Sequence, residues 1–171
     1  LAIGFIQHGI DLYGTAMNGG YWNEGGGHSS GRKWPILFAS ILLDKPDMIN
    51  LPATAFFQED TQTYFGKGWC GQTVLWQMIM HHGKRDTYEE KPPDQWQQWD
   101  KTSESYRICC TSSAWAGTAL AARHMKAIKI WGHDAYFDYV DRWMQEEDPY
   151  RTARGIYSRP KSETTTFDPF V

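Results

Sequence analysis

Ile3, Ile6, Ile10 and Tyr13 recur at helical spacing, and Leu1, Phe5 and Leu12 widen the stripe, so residues 1–16 are expected to form a helix with a broad apolar side. Gln7, His8 and Asp11 stand three or four apart on the other face, as a solvated strip or the lining of a cavity. From Asn18 to Gly31 the pattern stops: six glycines in fourteen residues exclude a helix and make a loop or a lid. Pro35 then suits the first turn of a new helix, and "ILFASILL" is apolar nearly all round until "DKPDM" breaks it. A core helix over about 34–43 follows.

The middle of the chain changes period. "TAFFQED" and "TQTYFG" are β-prone and are expected to pair as a short hairpin across a turn near Asp60, with "GQTVLWQMIMHHG" as a helix after it. Residues 83–105 are charged, carry Pro92 and Pro93, and alternate Gln with Trp in "DQWQQWD", which predicts a surface excursion. "TSSAWAGTALAARHMKAI" opens on hydroxyl residues suited to capping and continues as a small-residue helix. Phe137, Val140, Trp143 and Met144 mark a last amphipathic helix, and the short connection predicts that these two lie antiparallel. The expected organisation is one mainly α domain over 1–148, with a short β-hairpin and an extended C-terminal tail over 149–171 that can dock through Phe167 and Phe170.

Composition narrows the partners. A chain of 171 residues, 41% hydrophobic, is long enough for one packed domain. Its 17 basic and 20 acidic residues are interspersed and leave a net charge of −3, which gives neither nucleic acid nor an anionic membrane a footprint. No run approaches the ~20 apolar residues that span a bilayer. Nine Trp, nine Tyr and eight Phe are more rings than a small core ordinarily takes up, so the alternatives are a Trp-rich core and aromatic faces presented to a half-apolar ligand such as a sugar. Leu1 already falls in a helical pattern, which suggests that the start has been cut away and that an amino-terminal portion or a second copy completes the unit. Cys70, Cys109 and Cys110 match no zinc spacing and are expected as reduced, buried thiols, with a bridge from Cys70 as the other option. They leave the compartment open, a secreted or periplasmic setting being preferred.

Three stretches could carry chemistry. The first gathers Tyr21, Trp22, Asn23, Glu24, His28, Ser29, Ser30 and Arg32 among glycines that let a ligand approach the backbone. There, His exchanges protons near neutrality, Tyr can act as an acid, and Asn or Arg can hold a carboxyl group; the plainer reading is helix capping and turns. The second is "FQEDTQTYFG", with Glu59, Asp60 and Tyr64. Adjacent carboxylates diverge on a strand, so hydrolysis of a glycosidic bond would need a partner such as Asp11 or Glu104, and a solvated hairpin tip is the alternative. The third is "SESYRICCTSSAW", where Tyr106 and Arg107 precede a helix start able to hold an anion. His124 lies too far along for thiol catalysis, and the neighbours His81 and His82 make a poor metal site, so neither a metal nor another cofactor is expected.

The loop "NGGYWNEGGGH" before an apolar helix, with the closing segments "AWAGTALAARHM" and "AYFDYVDRWM", resembles the α/α-toroid carbohydrate-active enzymes, in particular polysaccharide lyases of the alginate-lyase and heparinase type. The resemblance covers the helical two-thirds of the chain. It implies antiparallel helical hairpins forming part of a toroid-like array around a cleft for an acidic polysaccharide or oligosaccharide, and cleavage by β-elimination. Carried over, it implies Asn23 or Arg32 as neutraliser of the uronate carboxyl group, His28 as base and Tyr21 as acid. Trp22, Glu59, Asp60, Tyr64, Tyr106 and Arg107 are the expected substrate contacts. The chain supplies about half the helices of a complete toroid. The competing classes are a glycoside hydrolase using paired carboxylates and a non-catalytic carbohydrate-binding or self-assembling protein.

Overall fold

A computed structural model describes residues 1–24, 27–79, 85–97 and 106–145. Over these the protein is mainly helical, with two small antiparallel sheets. The first helix, α1 (Ala2–Met17), ends in a Schellman stop: Gly19 takes φ +87°, and the N–H groups of Gly19 and Gly20 donate to Ala16 and Thr15. The second, α2 (Lys33–Leu42), has Pro35 in its first turn. It ends the same way, with Asp44 in the left-handed region and the Lys45 N–H on the Ser40 carbonyl.

The two helices pack closely because of one residue. A Cβ on Gly9 would lie 2.1 Å from the Pro35 carbonyl oxygen and 2.8 Å from the Ala39 Cβ. Gly9, Leu12 and Ala16 therefore form the buried side of α1. The apolar stripe predicted from periodicity is buried only in part: Leu12 is buried and Phe5, Ile6 and Tyr13 are half-buried, while Leu1, Ile3 and Ile10 are exposed, because the close approach to α2 is centred on Gly9. Gly9→Ala is expected to lower stability by about 2 kcal/mol, the overpacking exceeding the gain in helix propensity. Gly4, where a Cβ meets nothing, provides the control: Gly4→Ala should leave the urea midpoint unchanged or raise it.

The predicted hairpin at Asp60 is not formed. Gln58–Thr61 is a helical turn, α3, and β1 (Thr63–Phe65) pairs instead with β2 (Val74–Trp76), Thr63 opposite Trp76. "TVLWQMI", expected as a helix, supplies β2 and β3 (Met78–Ile79), and β3 pairs with β4 (Arg85–Asp86). Short 3-10 turns occupy Pro46–Ile49, Tyr88–Glu90 and Pro93–Gln95. Residues 106–110 are helical (α4), followed by α5 (Ser112–His124), α6 (Ile128–Trp131) and α7 (Asp134–Met144). Thr111 precedes α5 without making a side-chain cap.

The closing helices α5 and α7 pack on each other. Ser112 and Trp115 reach Tyr139 and Tyr136, and Arg123, in the last turn of α5, reaches Phe137 and Asp141. The connection between them is not a tight loop but contains α6 and a left-handed Gly132.

Most of the aromatic surplus is internal. Trp34, Trp76, Trp96, Trp115, Trp131 and Trp143 are all buried, with Tyr88, Tyr136 and Tyr139 among them. The described part of the predicted surface excursion is buried at Tyr88, Glu89 and Trp96, because Glu89 answers two arginines inside the core. Its Oε1 accepts from Arg107 Nη1 and Arg142 Nη2, each at 2.6 Å, and Oε2 accepts the Trp76 N–H at 2.7 Å. Arg107, fully buried, also donates to Tyr139 Oη and lies over the Trp76, Tyr139 and Trp143 rings at 5.0–5.5 Å. Burial would push the Glu89 carboxyl up, but the two guanidinium groups hold it below its ordinary value. No described helix is long and apolar enough to cross a membrane. The tail 149–171, Glu104, and His81 with His82 lie outside the described residues.

Candidate functional site

The glycine-rich segment is pinned at several points, and the tethers lead to the other two candidate stretches. At its start the Trp22 N–H donates to the Phe56 carbonyl at 2.9 Å, Trp22 bridges Phe57, and their rings stack at 5.1 Å. Beside this contact Tyr21 lies against Phe56 with ring centroids 4.8 Å apart, both rings exposed. In the middle, Gly27, at φ +80°, donates its N–H to Tyr106 Oη at 3.2 Å. The same phenol oxygen accepts from Gln58 Nε2 at 2.9 Å. Further on, Ser30 Oγ accepts the Trp115 indole N–H at 3.0 Å.

Under the far end is a buried charged cluster. Lys33 pairs with Asp60, and its ammonium lies over the Phe57 and Trp131 rings at 5.5 and 5.3 Å. Asp60 Oδ1 accepts the Trp131 indole N–H at 2.8 Å, and Trp131 stacks on Tyr136 at 4.7 Å. Next to it Glu59 is 1% exposed. Neither of its carboxylate oxygens receives a hydrogen bond of ordinary geometry. Burial, then the charge of Asp60, pushes this carboxyl up to about 7; its own N–H, Lys33 and the Gly31 N–H pull it back only in part. Glu59 is thus a carboxyl poised to exchange a proton near neutrality. Burial, then Glu59 and Asp60, drive the neighbouring Tyr136 phenol well above its ordinary value, so it stays protonated and donates to the Trp115 carbonyl.

No family model, curated protein or solved structure matches the chain. The reading of the site therefore rests on its own geometry.

Around the glycine segment the fold brings together Trp22, Glu59, Asp60 and Tyr106, which the sequence places in three separate stretches. Tyr21, Asn23 and His28 are exposed on the same segment. Arg32 is half-buried and donates from Nη2 to the His28 carbonyl at 3.2 Å. Two expected substrate contacts are placed elsewhere. Tyr64 donates to Glu90 Oε1 at 3.0 Å from β1. Arg107 is enclosed with Glu89 and Arg142 and is not presented to a ligand, a correction that follows from the electrostatic need of the buried carboxylate. Asp11, considered as a partner carboxylate, is exposed on α1 and accepts from Gln7. Among the described residues no group of three or more His, Cys, Asp or Glu could hold a metal ion.

Sequence reasoning missed Lys33, Gln58, Trp131 and Tyr136. Lys33 left a signal: a cation in the first turn of a helix opposes the helix dipole, and at the head of an apolar run it calls for a carboxylate partner.

Proposed function

We propose that the chain is part of a carbohydrate-active enzyme, most specifically a polysaccharide lyase acting on uronic-acid-containing polymers. One observation carries the reading: a segment presenting a phenol, an amide and an imidazole to solvent is anchored onto the turn that holds Glu59 and Asp60. The exposed Tyr21 and Phe56 rings offer an apolar face to a pyranose. In the elimination, Asn23 or Arg32 neutralises the uronate carboxyl group and His28 takes the proton from the carbon beside it. The electron pair left behind forms the carbon–carbon double bond, the glycosidic oxygen leaves, and Tyr21 protonates it. The packed α1–α2 pair supports membership of a helical-hairpin array of toroid type.

Hydrolysis by paired carboxylates is the weaker reading, because Glu59 is enclosed and Asp60 is committed to Lys33 and Trp131. Non-catalytic sugar binding needs only the exposed rings. Incubation with alginate, heparin-like and pectin-like chains separates the three. Lyase action is expected to yield the ultraviolet absorbance of an unsaturated uronate, and His28→Ala is expected to lower that rate by about 10²–10⁴-fold. New reducing ends without the absorbance favour hydrolysis, and binding without product favours the non-catalytic reading. Full activity in His28→Ala removes the proposed base.

A further inference from the structure

The two neighbouring cysteines, expected as buried thiols, are joined to each other. Cys109 and Cys110 form a disulfide between consecutive residues, with their Cα atoms 3.8 Å apart, and Cys70 takes no part in it. The bridge was not foreseen because ordinary disulfides join Cα atoms about 4.4–6.8 Å apart. Cys109 is exposed and Cys110 half-buried, at the junction of α4 and α5.

We propose that the Cys109–Cys110 bond is a redox-sensitive latch that fixes the glycine-rich segment, opened by a dithiol reductant. The first support is steric. A Cβ on Gly27 would lie 2.3 Å from the Cys110 carbonyl oxygen and 3.0 Å from its Cβ, so the segment is seated on the bridged residue with no slack. The second is the pattern of tethers. The Gly27 N–H is held by Tyr106, three residues before the bridge, and Ser30 is held by Trp115, five residues after it. Both depend on the backbone course that the bridge constrains.

The exchange is balanced. A thiolate of the reductant attacks the exposed Cys109 sulfur, a mixed disulfide forms, and Cys110 leaves as a thiolate that takes a proton. The reductant's second thiol then displaces Cys109 as a thiol and closes its own disulfide, so two electrons and two protons reach the protein. The freed sulfurs must part from a bond of about 2 Å to non-bonded contact. The Cys110 backbone gains torsional freedom as the small ring opens, and Gly27 is seated directly against it.

The test is hydrogen exchange on the intact chain, oxidised and after dithiothreitol, with iodoacetamide mapping of the cysteines by mass spectrometry. Before reduction the label is expected on Cys70 alone; after it, on all three. Exchange in residues 27–32 should quicken about tenfold or more while α1 keeps its rate, as for a local opening. Cys70→Ser should respond like the native chain, and Cys109→Ser/Cys110→Ser should exchange fast with or without reductant. Should the double variant fail to fold, reduction of the native chain alone decides. Three results overturn the latch: Cys109 and Cys110 labelling without reductant, unchanged exchange in 27–32 once both are labelled, or α1 quickening equally, which marks a bridge that supports the whole fold.

Discussion

Glu89→Ala is expected to lower the free energy of unfolding by about 3–5 kcal/mol, the scale for removing one partner of a buried ion cluster. Against the ~5–15 kcal/mol that holds an ordinary domain together, this leaves the chain close to unfolding at 25 °C. The reason is what remains behind. Arg107 and Arg142 would keep their positive charges inside a shell of Trp76, Tyr139 and Trp143, with the Trp76 N–H also deprived of its acceptor. Urea denaturation at pH 7 reads the loss directly. Because the arginines hold the Glu89 carboxyl below its ordinary value of 4.5, its contribution is fully present above about pH 4.5 and is lost as pH falls through the folded-state value. A loss below 1 kcal/mol in Glu89→Ala would mean that water reaches the two guanidinium groups.

The second large effect has the opposite sign in pH. Glu59 binds its proton more tightly in the folded chain, about 7 against 4.5. The stability this gives is therefore complete below pH 4.5 and disappears as pH rises through about 7. That interval corresponds to about 3 kcal/mol at 1.36 kcal/mol per unit. Glu59→Gln, which stays neutral throughout, is expected to flatten the profile and to be more stable than the native chain at pH 8. The two carboxyl groups act in separate windows, Glu59 between pH 4.5 and about 7 and Glu89 below pH 4.5, so urea midpoints measured across both tell them apart. A native profile flat from pH 5 to 8 would contradict the burial of Glu59.

The two effects also mark where the sequence could be read and where it could not. Helices α1 and α7 were legible from an apolar period, α2 from Pro35 and an unbroken apolar run, and α5 from a run of small helix-favouring residues. The close approach of α1 to α2 was not, since Gly9 works through the space it leaves beside Pro35 rather than through an apolar side chain. Glu89 in "TYEE" looks like a solvated charge until Arg107, eighteen residues on, and Arg142, fifty-three on, fold back to it. β1 and β2 are too short to show alternation, and the turn that joins them, closed by the Gly68 N–H on the Gln72 carbonyl with Gly71 in the left-handed region, lies well past Asp60. For the site, the glycine segment was recognisable from composition, and its residues Tyr21, Asn23 and His28 do face solvent. What sequence distance concealed was the meeting of that segment with α3 and α4, through Trp22 on Phe57, Gly27 on Tyr106, and Lys33 on Asp60.

That meeting places the glycine segment over the turn in which Glu59 is buried. A carbon-13 NMR titration of the glutamate side-chain carboxyl groups, with Glu59→Gln used to assign the resonance, examines it with no assumption about substrate. The Glu59 signal is expected to titrate at about 7. A midpoint below 5 would mean that the carboxyl group is hydrated, and that the glycine segment does not close over α3.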